Sequence, residues 1–209
     1  MTQFFNVASC LQLRKAAEHD SIVSMVYSLT SLFPNFEWLR EKTAVMFYQR
    51  KEFEKANVIF ESLFEANPHR RTELRTYAQS LFILKSKREL AMLVERRTLD
   101  PGDVDDLCLL GEYYASLQME RHAAQTFERV ALLEPGYIDA KELECQSLIE
   151  LKETTKLLEK LRGIVAEDEM RYSAWNFLGS THQILEMPFA GIYYYQRATS
   201  IKYDFRFTS

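Results

Sequence analysis

Apolar and polar residues follow one another along this chain with the period of a helix, not of a strand. Near the C-terminal end, Trp175, Leu178, Gly179 and His182 fall at i, i+3, i+4 and i+7, one face of a helix. Gly191, Tyr195 and Ala198 fall at i, i+4 and i+7, one face of a second. The short connector Glu186-Met187-Pro188 separates them. The spacing predicts a helix–turn–helix unit in which small residues let two backbones approach and large ones fill the space beside them. The arrangement recurs upstream. Leu107, Leu110, Gly111 and Tyr114 precede Ala123, Phe127 and Val130, and Ala44 and Phe47 precede Ala56, Phe60 and Leu63. Tyr77, Ala78 and Leu81, followed by Leu90 and Val94, form a looser copy. Alternation of β-branched residues is hard to find, and glycine and proline number only 6 and 5, so the chain reads as all-α.

Proline supplies an independent period. Pro34, Pro68, Pro101 and Pro135 are spaced 34, 33 and 34 apart, and Gly111 and Gly179 lie 68 apart. A proline cannot continue a helix interior, so periodic prolines mark periodic helix boundaries. A period of about 34 residues with this placement of large, small and ring residues is that of the tetratricopeptide repeat. The predicted fold is therefore a tetratricopeptide-repeat superhelix, an α-solenoid, running as a single array over residues 1–209. Its six units fall at about 3–36, 37–70, 71–103, 104–137, 138–171 and 172–205. The first is marked by Leu13, Val26, Leu29 and Pro34; the fifth is degenerate, with Cys145 where glycine is usual. Connections such as Arg50-Lys51-Glu52 and Lys85-Ser86-Lys87-Arg88 are too short to be linkers.

Composition narrows function. With 47% hydrophobic and 27% charged residues the chain carries enough apolar surface for a core. A net charge of −4 gives no basic excess for nucleic acid, and no apolar run approaches the roughly 20 residues of a membrane span. The start, Met1-Thr2-Gln3-Phe4-Phe5, lacks the features of a signal peptide. Cys10, Cys108 and Cys145 form no CxxC and no metal spacing, and read as small buried hydrophobes in a reducing compartment. The basic pairs Arg70-Arg71 and Arg96-Arg97 read as solvated faces. His19, His69, His122 and His182 have no local ligand partner, and His182 takes a ring position of its repeat. There is no phosphate loop, HExxH or GxSxG. No catalytic residue, metal site or cofactor is expected. Stacked helix pairs make a concave surface suited to binding.

In such an array the first helix of each pair lines the inside. The residues between its core positions should face the groove: Trp38, Glu41, Val45 and Tyr48, then Thr72, Arg75, Gln79 and Phe82, then Asp105, Cys108, Glu112 and Ala115. Asp139, Glu142 and Gln146 follow, then Ser173, Asn176, Ser180 and Gln183. Tyr48, Arg75, Gln79, Asp105, Glu112, Glu142, Asn176 and Gln183 are the candidate partner-binding residues. Asp105, Glu112, Asp139 and Glu142 would cluster acids on one surface, which suits a ligand carrying arginine. Lysines and asparagines aimed at a terminal carboxylate, as in chaperone-tail clamps, are missing from the matching positions.

The segment Ala174–Ala198, AWNFLGSTHQILEMPFAGIYYYQRA, closely resembles a repeat of the eighth subunit of the anaphase-promoting complex, the cell division cycle protein 23 family. Its signature is Met187-Pro188-Phe189 with Tyr193-Tyr194-Tyr195. Gly111–Leu117 with Phe127–Leu132, and Phe53–Ala56 with Pro68–Arg70, are similar to the same family's repeats. The resemblance implies a non-catalytic scaffold in a ubiquitin ligase of the cell cycle, in the nucleus and cytoplasm. It also implies a groove that takes other subunits of the complex and coactivator peptide segments, one of them arginine-bearing. The family tends to carry an amide at the place of Glu112. Self-association into a homo-oligomer stays open, because the upstream repeats that mediate it in the family are not in this chain. A generic tetratricopeptide adaptor is the alternative. No capping helix is visible after residue 205, so that end is expected to be covered by a partner or another copy, or the chain to be a fragment.

Overall fold

The computed structural model describes residues 25, 26, 28, 29, 32, 33 and 36–207. Leu13, Pro34, Cys10 and His19 lie outside the described residues. Ten helices of nine residues or more and no strand occur among the described residues. Contacts group them into two compact units, up to Ser86 and from Lys87 onward.

The first unit holds α1 (Glu37–Gln49), α2 (Phe53–Ala66) and α3 (Leu74–Ile83). α1 buries Ala44 and Phe47 and α2 buries Ala56, Phe60 and Leu63, the residues whose spacing predicted the pair. Tyr77 of α3 lies against α2, its ring centroid 5.5 Å from Phe60 and 4.9 Å from Phe64. Val26 and Leu29, before α1, pack with Leu39 and Met46.

The second unit holds α4 (Lys87–Glu95), α5 (Val104–Ser116), α6 (Glu120–Leu133), α7 (Ile138–Glu150), α8 (Thr154–Glu167), α9 (Tyr172–Ile184) and α10 (Pro188–Phe207). Gly111 of α5 faces Phe127 of α6: a Cβ built on it would stand 2.5 Å from the ring. Gly179 of α9 faces Tyr195 of α10 in the same way, at 2.7 Å. The two hairpins thus use one device, a glycine hollow filled by a ring. Cys145 takes that place in α7 and packs with Leu148, Leu157 and Leu161. Burial pushes its thiol up to about 12, so it is an inert hydrophobe. α10 runs on to Phe207, beyond the expected end at 205.

The turns that follow α1, α3, α5, α7 and α9 carry a second period, in their backbone conformation. Lys51, Lys85, Gln118, Lys152 and Glu186 all have φ between 56° and 63°, the left-handed region. They recur 34, 33, 34 and 34 residues apart. At each, two amides return to the end of the preceding helix: Lys51 N–H donates to the Tyr48 carbonyl and Glu52 N–H to that of Phe47, both at 2.9 Å. This closes the helix as a glycine would, yet none of the five is glycine. A side chain in this conformation is disfavoured by roughly 1–2 kcal/mol. Lys152→Gly is therefore expected to raise stability by about 0.5 to 1 kcal/mol, while Lys156→Gly, four residues on and inside α8, lowers it by about 1 kcal/mol. Urea unfolding of the two variants reads the opposite signs.

Candidate partner-binding face

The expected groove residues are best followed unit by unit. In the first unit Tyr48 and Gln79 meet: the Tyr48 hydroxyl donates to Gln79 Oε1 at 2.6 Å, joining α1 to α3. Arg75 is half-buried on α3. Glu41, expected to face the groove, is buried and bonded to Arg70, which also reaches Glu37. Burial pushes the Glu41 carboxyl up, but Arg70, Lys42 and Thr72 together outweigh it, and it titrates below its ordinary value.

The second unit repeats this clamp. Arg171 Nε donates to Glu142 Oε1 at 2.8 Å, its Nη2 binds Asp139, and the Ser173 hydroxyl donates to Glu142. Arginine lies 29 residues beyond the glutamate in both units, and a hydroxyl residue follows two positions later: Glu41, Arg70, Thr72 and Glu142, Arg171, Ser173. The hydrogen bonds to Glu142 hold the Arg171 guanidinium above its ordinary value. Two of the four acids expected to await an arginine from a ligand, Asp139 and Glu142, already hold one from this chain. Sequence reasoning read Arg70 as part of a solvated face and gave Arg171 no role; the repeated 29-residue offset was the signal.

Glu112 departs furthest from expectation. It is 2% exposed, and its Oε2 has no hydrogen-bond partner. Burial alone pushes its carboxyl up to about 8, so at neutral pH it is mostly protonated and adds little to an acidic surface. The helix period put it on the groove stripe, but α5 is enclosed on several sides: Cys108, on the same stripe, packs with Leu107, Val130 and Ala140. Asp105 is half-buried, and its amide donates to Asp103 Oδ1, which caps α5.

Asn176 and Gln183 of α9 are exposed, as a groove needs. The Tyr195 hydroxyl lies 3.1 Å from Ser180 Oγ and donates to Gln183 Oε1 at 3.3 Å. α9 thus presents neutral amides and hydroxyls, bounded by the Arg171 clamp. Such groups suit the backbone of an extended peptide better than a bare charge would. Among the described residues no cluster of three or more His, Cys, Asp or Glu is placed to hold a metal, and no helix is long and apolar enough to cross a membrane.

The Met187-Pro188-Phe189 and tyrosine signature divides between packing and display. Pro188 opens α10, where its missing N–H is harmless. Tyr194 lies 4.6 Å from the His182 ring and stacks near Trp175 at 6.2 Å, while Tyr195 fills the Gly179 hollow. Phe189 is 88% exposed, with Met187, Ile192 and Tyr193 exposed beside it.

No family model matches the chain. Curated relatives do. It is 26% identical over 132 residues to the anaphase-promoting complex subunit CDC23 of Saccharomyces cerevisiae, covering 63% of this chain and 21% of the relative. It is 26% identical over 155 residues to subunit 8 of Arabidopsis thaliana, covering 74% and 26%. The subunit 8 of Dictyostelium discoideum is 28% identical over 154 residues, covering 73% and 26%. Among solved structures, a tetratricopeptide repeat protein of Parabacteroides merdae superposes with a TM-score of 0.78 at 12% identity, covering 93% of this chain and 77% of that one. The chain is similar to the subunit 8 proteins over about three quarters of its length, and its fold is that of a tetratricopeptide-repeat protein. The anaphase-promoting complex hetero-tetramer Cut9–Hcn1 shares the fold, with a TM-score of 0.67 at 18% identity, covering 87% of this chain and 35% of that one. This tetratricopeptide-repeat chain spans about a quarter of the length of the curated relatives it matches.

Proposed function

We propose that this chain is part of a scaffold subunit of an anaphase-promoting-complex ubiquitin ligase, without catalysis of its own. It works in the nucleus and cytoplasm of dividing cells, holding other subunits and coactivator peptide segments. The observation that carries this reading is the similarity to subunit 8 proteins over about three quarters of the chain. The site supports it: an exposed amide and hydroxyl stripe on α9, fixed at one end by the Arg171–Glu142–Ser173 clamp, can hydrogen-bond an extended segment. The buried, protonated Glu112 moves the emphasis from an acidic groove to this neutral one.

Affinity purification of the tagged chain from dividing cells tests the reading. Co-recovery of ligase subunits is the expected result, and recovery of chaperones alone overturns it. Asn176→Ala with Gln183→Ala should weaken capture of a coactivator segment about tenfold with no loss of helicity, because both side chains are exposed and leave the core intact.

A further inference from the structure

α4 is nine residues long, whereas α2, α6 and α8 each have 14. The reason lies just beyond it. Arg97 turns inward, its Nε and Nη2 donating to Asp106 Oδ1 at 3.2 and 2.8 Å, and Asp106 Oδ2 accepts the Asp100 amide at 3.0 Å. Both side chains of this ion pair are nearly fully buried. The pair draws residues 97–100 toward the start of α5, so the chain leaves the helix where its counterparts continue for more than another turn.

Beside the loop that follows this helix lies a cavity of about 520 Å³. Leu99 and Pro101 line it from the connecting loop, and Leu107, Leu110 and Tyr114 from α5. Repeat spacing assigns Leu110 and Tyr114 to the core, yet both are only half-buried. The volume falls in the range of roughly 300–1,000 Å³ typical of pockets that take ligand groups. The other wall is α6, with His122 and Arg129 exposed. Asp106 is taken up by Arg97 and the Asp100 amide, and Asp100 turns Oδ1 to the Gly102 amide at 2.8 Å. His122 rests against Tyr114, ring centroids 5.5 Å apart. Arg129 makes no ion pair among the described residues, so it is the cation available at the cavity.

We propose that this cavity is a second docking site, distinct from the α9 stripe. Its occupant is a leucine or phenylalanine side chain on a partner protein segment, with an aspartate or glutamate within two residues that pairs with Arg129. The apolar floor supplies the affinity and Arg129 the selection on the α6 wall, where a lysine or arginine would face a like charge; the Asp100 carboxylate stands on the loop wall, so the companion acid points toward α6. The proposal rests on the short helix, the cavity and the rim charge, and is independent of the family reading.

Selecting a random twelve-residue peptide library displayed on phage against the 209-residue chain tests it. Enriched peptides should carry leucine or phenylalanine next to or one removed from an acid. Arg129→Glu and Leu110→Trp should each weaken their binding at least tenfold, and Asn176→Ala with Gln183→Ala should leave it unchanged. Arg129 is exposed, so its reversal keeps the test valid should Leu110→Trp fail to fold. The proposal is overturned by a library that yields no enrichment, by basic companions to the apolar residue, by indifference to Arg129→Glu, or by loss in the α9 variant.

Discussion

Glu112→Gln should stabilise the chain by about 3 kcal/mol at pH 7 and by almost nothing near pH 4. The carboxyl is buried without a partner at Oε2, and its folded-state value is raised from 4.5 to about 8. In the unfolded chain it releases its proton near 4.5; in the folded chain it keeps the proton until about 8. The neutral form's contribution is therefore whole below pH 4.5. It declines by roughly 1.4 kcal/mol per pH unit as pH rises, and levels off above about 8. Glutamine keeps the shape and cannot ionise, so it lacks the decline. Urea unfolding of both proteins at pH 4, 7 and 8.5 should show a gap that opens with pH. A gap of constant size would mean that Glu112 keeps an ordinary carboxylate in the fold.

Gly111→Ala should cost about 1 kcal/mol net, although alanine is the better helix former. Overpacking a core typically costs about 1–3 kcal/mol, and here the added methyl would meet the Phe127 ring, itself 1% exposed, at 2.5 to 3.0 Å. The gain in helix propensity, about 1 kcal/mol, offsets only part of this. Gly163 in α8 is the control, because nothing lies within 4 Å of a Cβ placed there. Gly163→Ala should stabilise by up to about 1 kcal/mol, opposite in sign to the same substitution in α5. Adding Phe127→Leu to Gly111→Ala should cost less than the two single changes summed, since the smaller side chain frees the hollow. Additive losses would show that the glycine serves something other than the ring.

The repeat fold was legible because packing writes itself into spacing. Gly111 and Phe127, and Gly179 and Tyr195, occupy positions that a close helix pair forces, and these positions recur with the repeat. The prolines added boundaries from a separate constraint. The candidate site was legible only in part. Periodicity assigns a residue to a stripe of its own helix, not to solvent, so it found Asn176 and Gln183 and also selected the buried Glu112, Glu41 and Cys108. Arg171 reaching Asp139 and Glu142 is a pairing across some thirty residues of chain, which no helical face records. The short α4 follows from the inward turn of Arg97 to Asp106, a tertiary contact that overrides a sequence still apolar at Leu99. The connectors were located, but their left-handed residues were not, because the usual marker, glycine, is absent from all five.

That absence has an experimental use. Three of the left-handed turn residues are lysines: Lys51 after α1, Lys85 after α3 and Lys152 after α7. Trypsin needs an extended strand at its cleft, and a tightly closed turn denies it one until the surrounding helices part. Each lysine is a built-in gauge of its own turn, so the order in which the three bonds are nicked ranks how readily these three turns come open, with no label added to the protein.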